Sequence, residues 1–253
     1  MFLANPQRFM SFSKWAAPIF GVLAVGMLGI GFTLGFTVPD DYQQGQTVRL
    51  LFLHPQVSFV SMMAYAAMGV SAFFGVVFRH LLADAAARAA APIGAGFTFL
   101  ALLTGSFWGR PMWGTWWEWT DPRIMSELVL FLFFLGYMAL LSAVDDEAKA
   151  TRAANILAMV GLPNLAVVHF SVYWWNSLHQ GSSITTTIMA WFHSLSGGGQ
   201  ADKPGLAPIY VAPFVLSFFG LACLFAALWL VRIRSEVWRR KAGALAVQAA
   251  GKA

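Results

Sequence analysis

The chain has 253 residues, of which 58% are hydrophobic and only 11% are charged, and its mean hydropathy is +0.65. Soluble globular domains carry more charge, so this composition excludes that class and indicates a membrane protein that crosses the bilayer several times. The formal net charge is +5, and a protein of this class uses such an excess for anchoring at the membrane surface rather than for binding nucleic acid.

Six apolar runs are long enough to cross a hydrocarbon core of roughly 30 Å, which takes about 20 helical residues. Each run must be helical, because the bilayer holds no water to satisfy backbone N–H and C=O groups. The sequence therefore predicts an all-α integral membrane protein, a bundle of six transmembrane helices in one domain over residues 1–253. The predicted spans lie near residues 16–38, 53–78, 93–109, 124–144, 153–172 and 208–231.

The basic residues predict the orientation of this bundle. If the N-terminus is cytoplasmic, twelve of the 16 Lys and Arg residues lie on the cytoplasmic side and four on the other side. Membrane proteins show this bias towards basic cytoplasmic loops, so we expect both termini in the cytoplasm. The basic C-terminal stretch from Arg232 to Lys241 would then meet anionic membrane lipid or a cytoplasmic partner.

This orientation assigns three segments to the outer face in chain order: residues 39–52, a tryptophan-rich loop at 108–123, and the long segment 173–207. The loop contains Trp113-Gly-Thr-Trp-Trp-Glu-Trp119, with Trp108 before it and Asp121 after it. An interfacial aromatic belt is one interpretation, although a belt spreads indoles over many helix ends. The clustering in one loop favours the other interpretation, a surface that holds a flat ligand.

Two histidines lie in these outer segments beside large apolar side chains. His54 opens the second span, and His179 lies in Trp174-Trp-Asn-Ser-Leu-His-Gln-Gly181. Neutral imidazole is a common metal ligand and a usual axial ligand of haem iron. Two imidazoles from different segments would hold an iron porphyrin from both faces, with indoles stacking on the macrocycle. His169 and His193 are the alternative ligands, for which buried or interfacial structural roles suffice.

Cations on the same face would pair with the haem propionates, which guanidinium groups bind well. The candidates are Arg49, Arg110 and Arg123.

Four motifs give the chain a family resemblance: Asp41-Tyr-Gln-Gln-Gly45, Trp113-Gly-Thr-Trp-Trp117, Ser126-Glu-Leu128 and Trp174–Gly181. In their order and over nearly the whole chain they resemble the haem exporter protein C family (CcmC) of the cytochrome c maturation system. That family belongs to a wider group of haem-handling membrane proteins with a tryptophan-rich outer loop.

The resemblance implies a protein of the bacterial inner membrane that holds haem b non-covalently on the periplasmic face and passes it to a membrane-tethered haem chaperone. It carries the axial-ligand role over to His54 and His179. It carries the loop over to Trp113, Gly114, Trp116, Trp117 and Trp119, followed by Asp121 and Arg123. The family places Asp directly after the last Trp, whereas Thr120 intervenes here.

The resemblance also implies partners: a CcmE-like haem chaperone, CcmA-like ATP-binding and CcmB-like permease subunits, and a small CcmD-like single-span subunit. The chain has no Gly-x-x-x-x-Gly-Lys-Ser/Thr motif, so an ATP-driven step needs a separate subunit. We therefore expect a binding and delivery subunit rather than an enzyme.

Two functions of other classes remain open. A haem-bearing electron-transfer subunit of a respiratory complex usually holds its haem between histidines buried within facing helices, whereas His54 and His179 lie at the outer edge. A solute permease needs polar residues along the middle of the bundle, and these spans offer few.

Overall fold

The computed structural model describes residues 5–179 and 206–250, and this part of the chain is predominantly α-helical. Its helices are α1 (Pro6–Thr37), α2 (His54–Phe78), α3 (Leu81–Trp113), α4 (Pro122–Ala143), α5 (Glu147–Val160), α6 (Leu162–Trp174) and α7 (Pro208–Ala250). With α5 and α6 taken together, six helical segments are long and apolar enough to cross a membrane. The predicted all-α architecture with six spans is confirmed.

The helices extend beyond several of the predicted spans. Helix α3 continues to Trp113, so the first residues of the predicted loop at 108–123 belong to a helix, and the connection to α4 is residues 114–121. Helix α3 ends where Gly114 adopts a left-handed conformation with a φ of 79°, which a glycine adopts without steric cost. Helix α7 continues past residue 231 to Ala250, so the basic C-terminal stretch is helical.

The fifth crossing consists of two helices that meet at Gly161. Pro163 lies in the first turn of α6, where its missing N–H costs no helical hydrogen bond. A Cβ atom at Gly161 would lie 1.9 Å from the hydroxyl oxygen of Tyr65. The glycine therefore lets α2 pack closely against the junction.

Small side chains bring α2 and α3 together at the centre of the bundle. Five alanines of α3 are buried in one core cluster with Val57, Val60 and Met68 of α2: Ala87, Ala90, Ala91, Ala95 and Ala101. Membrane helices have little hydrophobic driving force between them, and small residues stabilise their contact by close packing. The outer surface of the bundle is apolar, as exposed Val22 and Val25 of α1 show, and this surface suits lipid.

Successive crossings run in opposite directions, so the starts and ends of the helices lie in two groups, one at each end of the bundle. One end carries the start of α2, the end of α3, the start of α4 and the end of α6. A 3-10 helix, Gln46–Phe52, lies directly before α2 at this end. Residues 39–52 and the end of α3 are therefore neighbours, and the hydrogen bond from Trp108 Nε1 to Gln44 Oε1, 3.1 Å long, joins them.

Candidate functional site

A cleft opens at the end of the bundle where α2 and α4 begin and α3 ends. About 470 Å³ of space lies between its lining atoms, including the part open to solvent. Both candidate ligands, His54 and His179, line it. We name it the histidine cleft; its other lining residues are Ser58, Ala101, Leu102, Gly105, Ser106, Trp113, Thr115, Trp116, Trp117, Glu118, Arg123, Ile124 and Glu127.

His54 begins α2 and is held against α3. Its Nδ1 atom lies 3.1 Å from the carbonyl oxygen of Ala101 and 3.1 Å from Oγ1 of Thr104. The hydroxyl of Thr104 donates to the carbonyl oxygen of Leu100, so the imidazole N–H at Nδ1 donates to Ala101. This bond fixes the tautomer and leaves Nε2 of His54 with the lone pair that a metal ligand needs.

His179 lies beyond the end of α6 and is held by the residue that starts α4. Its Nδ1 atom is 3.4 Å from Oδ1 of Asp121. The other carboxylate oxygen of Asp121 accepts hydrogen bonds of 2.8 Å from the hydroxyl of Ser177 and from the backbone N–H of Leu178. A carboxylate behind the imidazole orients a ligating histidine and raises its basicity.

Asp121 also caps α4, since its Oδ1 atom accepts from the backbone N–H groups of Arg123 and Ile124 at 3.0 Å. Burial opposes ionisation of this carboxyl, which is 3% exposed. The hydrogen bonds from His179, Ile124, Leu178 and Ser177 outweigh burial and hold the pKa of Asp121 well below its usual range. A single ionised carboxylate therefore fixes both the start of α4 and the segment that carries His179.

A buried polar network forms the wall of the histidine cleft between α2 and α4. Glu127 is 4% exposed, and its two carboxylate oxygens accept from the hydroxyls of Ser58 at 3.1 Å and Ser61 at 2.8 Å. Nη2 of Arg123 donates to the same Ser58 oxygen at 2.9 Å, and its Nη1 donates to the carbonyl oxygen of Val168 in α6. The network thus places a fixed cation, Arg123, at the cleft wall.

The tryptophans within residues 113–119 divide into three that line the histidine cleft and one that does not. Trp113, Trp116 and Trp117 line the histidine cleft, and the Trp113 ring meets that of His179 edge-on, with ring centroids 4.8 Å apart. Nε1 of Trp117 is buried and has no hydrogen-bond partner among the described residues. Trp119 is 69% exposed and does not line the cleft, but its ring packs on Trp117 at 5.6 Å. The first group forms an aromatic wall and Trp119 supports it.

Four other predicted site residues do not line the histidine cleft: Asp121, which acts through His179, and Arg49, Arg110 and Gly114. Arg49 pairs with Asp40 at 3.3 Å, and Arg110 donates to the carbonyl oxygen of Gly114. Gly114 contributes a left-handed backbone conformation rather than a contact surface. Arg123 is thus the one arginine of the three candidates that lies at the cleft.

The remaining histidines are placed as follows. His169 lies on α6 against Phe170 and does not line the histidine cleft. His193 lies outside the described residues. So do the other residues from 180 to 205, which belong to the predicted outer segment 173–207.

Several residues of this site carry no role in the sequence-based prediction. They are Ser58, Ser61, Thr104, Gly105, Glu127 and Ser177. A signal for Glu127 exists in the sequence, because an ionisable residue within a membrane span is a functional candidate by default. Hydroxyl groups and a glycine give no such signal, since both are common in membrane helices.

Comparison with known proteins gives consistent matches. The model of the family described as "Heme exporter protein C" matches residues 1–248. The protein of that name from Bradyrhizobium diazoefficiens is 45% identical over 250 residues, which cover 99% of this chain and 89% of the relative. Its counterpart from Escherichia coli K12 is 43% identical over 236 residues, covering 93% and 89%. That from Paracoccus denitrificans is 40% identical over 243 residues, covering 96% and 95%.

Proposed function

This chain belongs to the haem exporter protein C family, and from that premise we propose that it is a haem-handling subunit of cytochrome c maturation. It binds haem b non-covalently in the histidine cleft, on the periplasmic face of the bacterial inner membrane, and delivers it to a membrane-tethered haem chaperone. The observation that carries the proposal is that His54 and His179, 125 positions apart in the sequence, line one cleft with an aromatic wall.

The donor set fits haem iron. Each imidazole uses Nδ1 for a contact with the protein, His54 with Ala101 and His179 with Asp121. Each therefore retains Nε2 for iron, and two neutral imidazoles are a regular axial pair for haem. The indoles of Trp113 and Trp117 offer apolar, polarisable surface for the macrocycle.

Arg123 is the proposed partner of a haem propionate. Its guanidinium has five N–H groups, and the contacts to Ser58 and Val168 use one N–H on each terminal nitrogen. The remaining N–H groups are free to donate to a carboxylate. Arg49 and Arg110, the other two candidates, lie outside the cleft and have protein partners of their own.

The proposed role is binding and release, without catalysis. Export by an ATP-driven complex then requires separate ATP-binding and permease subunits and a small single-span subunit, because the chain has no phosphate-binding loop motif. Release suits a site at the end of the bundle, where a chaperone can reach the cleft without crossing the membrane interior.

The absorption spectrum of the purified, haem-loaded protein tests the ligands. Replacing either His54 or His179 by Ala should give five-coordinate or water-ligated haem, and added imidazole should partly restore the original spectrum. The double variant should bind almost no haem. His169→Ala is the control, because His169 does not line the cleft, and its spectrum should match the wild type. A bis-imidazole spectrum in the double variant would remove both ligands from the proposal.

An electron-transfer subunit is the second candidate, and haem transfer distinguishes the two. A delivery protein mixed with apo-chaperone should lose its haem to the chaperone, and either single histidine variant should load the chaperone poorly. An electron carrier should keep its haem through repeated reduction and oxidation. Retention of haem in the presence of excess apo-chaperone would contradict the delivery role.

A further inference from the structure

A second cleft lies at the opposite end of the bundle from the histidine cleft. It opens among the end of α2, the start of α3 and the start of α5, with α7 alongside, and encloses about 1150 Å³ including open solvent. We name it the arginine cleft. Its charged and polar lining residues are Arg79, Asp84, Glu147, Thr151, Arg152, Asn155 and Arg240.

The two carboxylates of the arginine cleft already have partners. Oε1 of Glu147 lies 2.8 Å from Arg239 and 3.4 Å from Arg88. Asp84 accepts a hydrogen bond of 2.8 Å from the side-chain amide of Asn155. Both carboxylates also interact electrostatically with Arg240, but neither forms an ion pair with Arg79 or Arg152.

None of the three arginines of the cleft forms an ion pair with a carboxylate of the described residues. Arg79 and Arg152 are exposed and make no hydrogen bond or ion pair with any described residue. Arg240 donates from Nη1 to the backbone carbonyl of Leu81 at 2.8 Å, while its Nε is buried and has no partner within residues 5–179 and 206–250. The lining thus offers three guanidinium groups with unused donors, which suits a phosphate group.

Apolar side chains lie on the membrane side of these arginines. On α2, Val77 and Phe78 precede Arg79 and are 52% and 63% exposed. On α5, Ile156 and Val160 follow Arg152 by one and two helical turns and are also exposed. An arginine at the end of a span can bind the headgroup of a lipid, and the exposed apolar side chains on its membrane side can contact the acyl chain.

We propose that the arginine cleft binds the phosphate of an anionic phospholipid, with Arg79, Arg152 and Arg240 as donors and the acyl chains along the exposed faces of α2 and α5. The net positive lining selects an anionic headgroup over a zwitterionic one. This lipid site is independent of the histidine cleft, because the two clefts lie at opposite ends of the bundle.

Native mass spectrometry of the delipidated full-length protein in detergent tests the site. With phosphatidylglycerol as the probe, the wild type should bind at least one lipid, and the variant R79N/R152Q should bind it about tenfold or more weakly. Asn is chosen at position 79 because the backbone there is left-handed, with a φ of 50°, and Asn tolerates this conformation. The matched control K14Q/R232Q removes two positive charges outside the cleft and should bind as the wild type does.

Two further ligands distinguish a lipid headgroup from free phosphate, and a single variant covers the case in which the double variant does not fold. Phosphatidylcholine and inorganic phosphate should each bind about tenfold more weakly than phosphatidylglycerol. The single variant R152Q, at an exposed helical position, should lose about threefold and gives the answer if the double variant does not fold. Equal affinity of the wild type and both cleft variants for phosphatidylglycerol, or inorganic phosphate binding as tightly as the lipid, would overturn the proposal.

Discussion

Gly105 illustrates how one residue without a side chain fixes a candidate ligand. A Cβ atom at this position would lie 2.9 Å from Cε1 of His54, closer than non-bonded carbon atoms approach. The glycine therefore lets the imidazole lie against α3 and reach the carbonyl oxygen of Ala101. The position of His54 depends on this close approach as much as on its own place at the start of α2.

Glu127 acts on the histidine cleft through its partners, as a positioning residue. Glu127→Gln replaces one of the two oxygens that accept from Ser58 and Ser61 by an amide group that donates, so one buried hydrogen bond is lost at a cost of about 2 kcal/mol. For a chain of this size we expect the melting temperature in detergent to fall by about 4–8 °C, with a weaker haem affinity. Asp145→Asn is the control, since Asp145 is exposed between α4 and α5 and lines neither cleft. An unchanged melting temperature in Glu127→Gln would contradict the network.

The stability that Asp121 contributes near the histidine cleft should be lost only well below neutral pH. Because its folded-state pKa is lowered, its stabilising contribution is complete above the ordinary carboxyl pKa and is lost as the pH falls through the folded value. Asp121→Asn should lower the melting temperature at pH 7 by several degrees. The difference between wild type and variant should stay constant down to about pH 5 and shrink below about pH 4.

Asp146→Asn provides the comparison for this acid response. Asp146 caps α5 with similar bonds, to Ala148 and Lys149, at the other end of the bundle. Its replacement should leave the haem spectrum unchanged, whereas Asp121→Asn should alter it because His179 loses its orienting carboxylate. Identical spectra in the two variants would count against that orienting role.

At the scale of elements, the break between α5 and α6 shapes the histidine cleft. Asn164 of α6 donates from its side-chain amide to the backbone carbonyl of Ser126 at 3.0 Å. One turn further on, the carbonyl oxygen of Val168 accepts from Arg123. The separate helix α6 thus packs against the first turns of α4 and supports Arg123.

Replacing the tryptophans between α3 and α4 should weaken haem binding to different degrees. Trp117→Ala and Trp116→Ala should each weaken haem binding by about fivefold or more, because each lost ring contact is worth about 1 kcal/mol beyond the buried area. Trp119→Ala should have a smaller effect, since Trp119 lies behind Trp117, and Phe at 116 or 117 should restore part of the affinity. Haem titration by absorbance measures all of these.

Trp238→Ala is the control for the aromatic series. Trp238 is exposed on α7 next to Lys241, at the other end of the bundle. Its removal should leave haem affinity unchanged. If Trp116→Ala and Trp117→Ala behave like this control, the cluster is an interfacial aromatic belt rather than a haem surface.

For the whole molecule, the arrangement of helix ends separates two surfaces of different chemistry. The histidine cleft carries indoles, imidazoles and one arginine, whereas the opposite end carries the arginine cleft and the ion pairs of Arg88 and Arg239 with Glu147 and Glu236. The second surface suits the cytoplasmic side, where basic residues collect. We therefore expect the first surface to lie on the periplasmic side.

Reporter fusions test this topology. A fusion at Gly114, between α3 and α4, should be active only with a reporter that requires the periplasm. A fusion at Asp145, between α4 and α5, should be active only with a cytoplasmic reporter. Cytoplasmic activity at Gly114 would invert the molecule and place the histidine cleft on the wrong side for periplasmic delivery.

The sequence by itself determined the helical class and the number of spans, because apolar length is set by the thickness of the bilayer and needs no knowledge of packing. It also made His54 and His179 candidate ligands, because each lies beside large apolar side chains in a segment predicted to face outward. These features are local, and a window of about 20 residues contains them.

Only the tertiary structure decided which residues surround those histidines. Asp121 and Ser177 are 56 positions apart, and Ser58 and Glu127 are 69 apart, so no spacing rule relates them. The place of Trp119 behind Trp117 also depends on packing. Such contacts form because helices that start and end at the same side of the membrane bring their terminal residues together, and their pairing is fixed by packing between helices rather than by the pattern within any one of them.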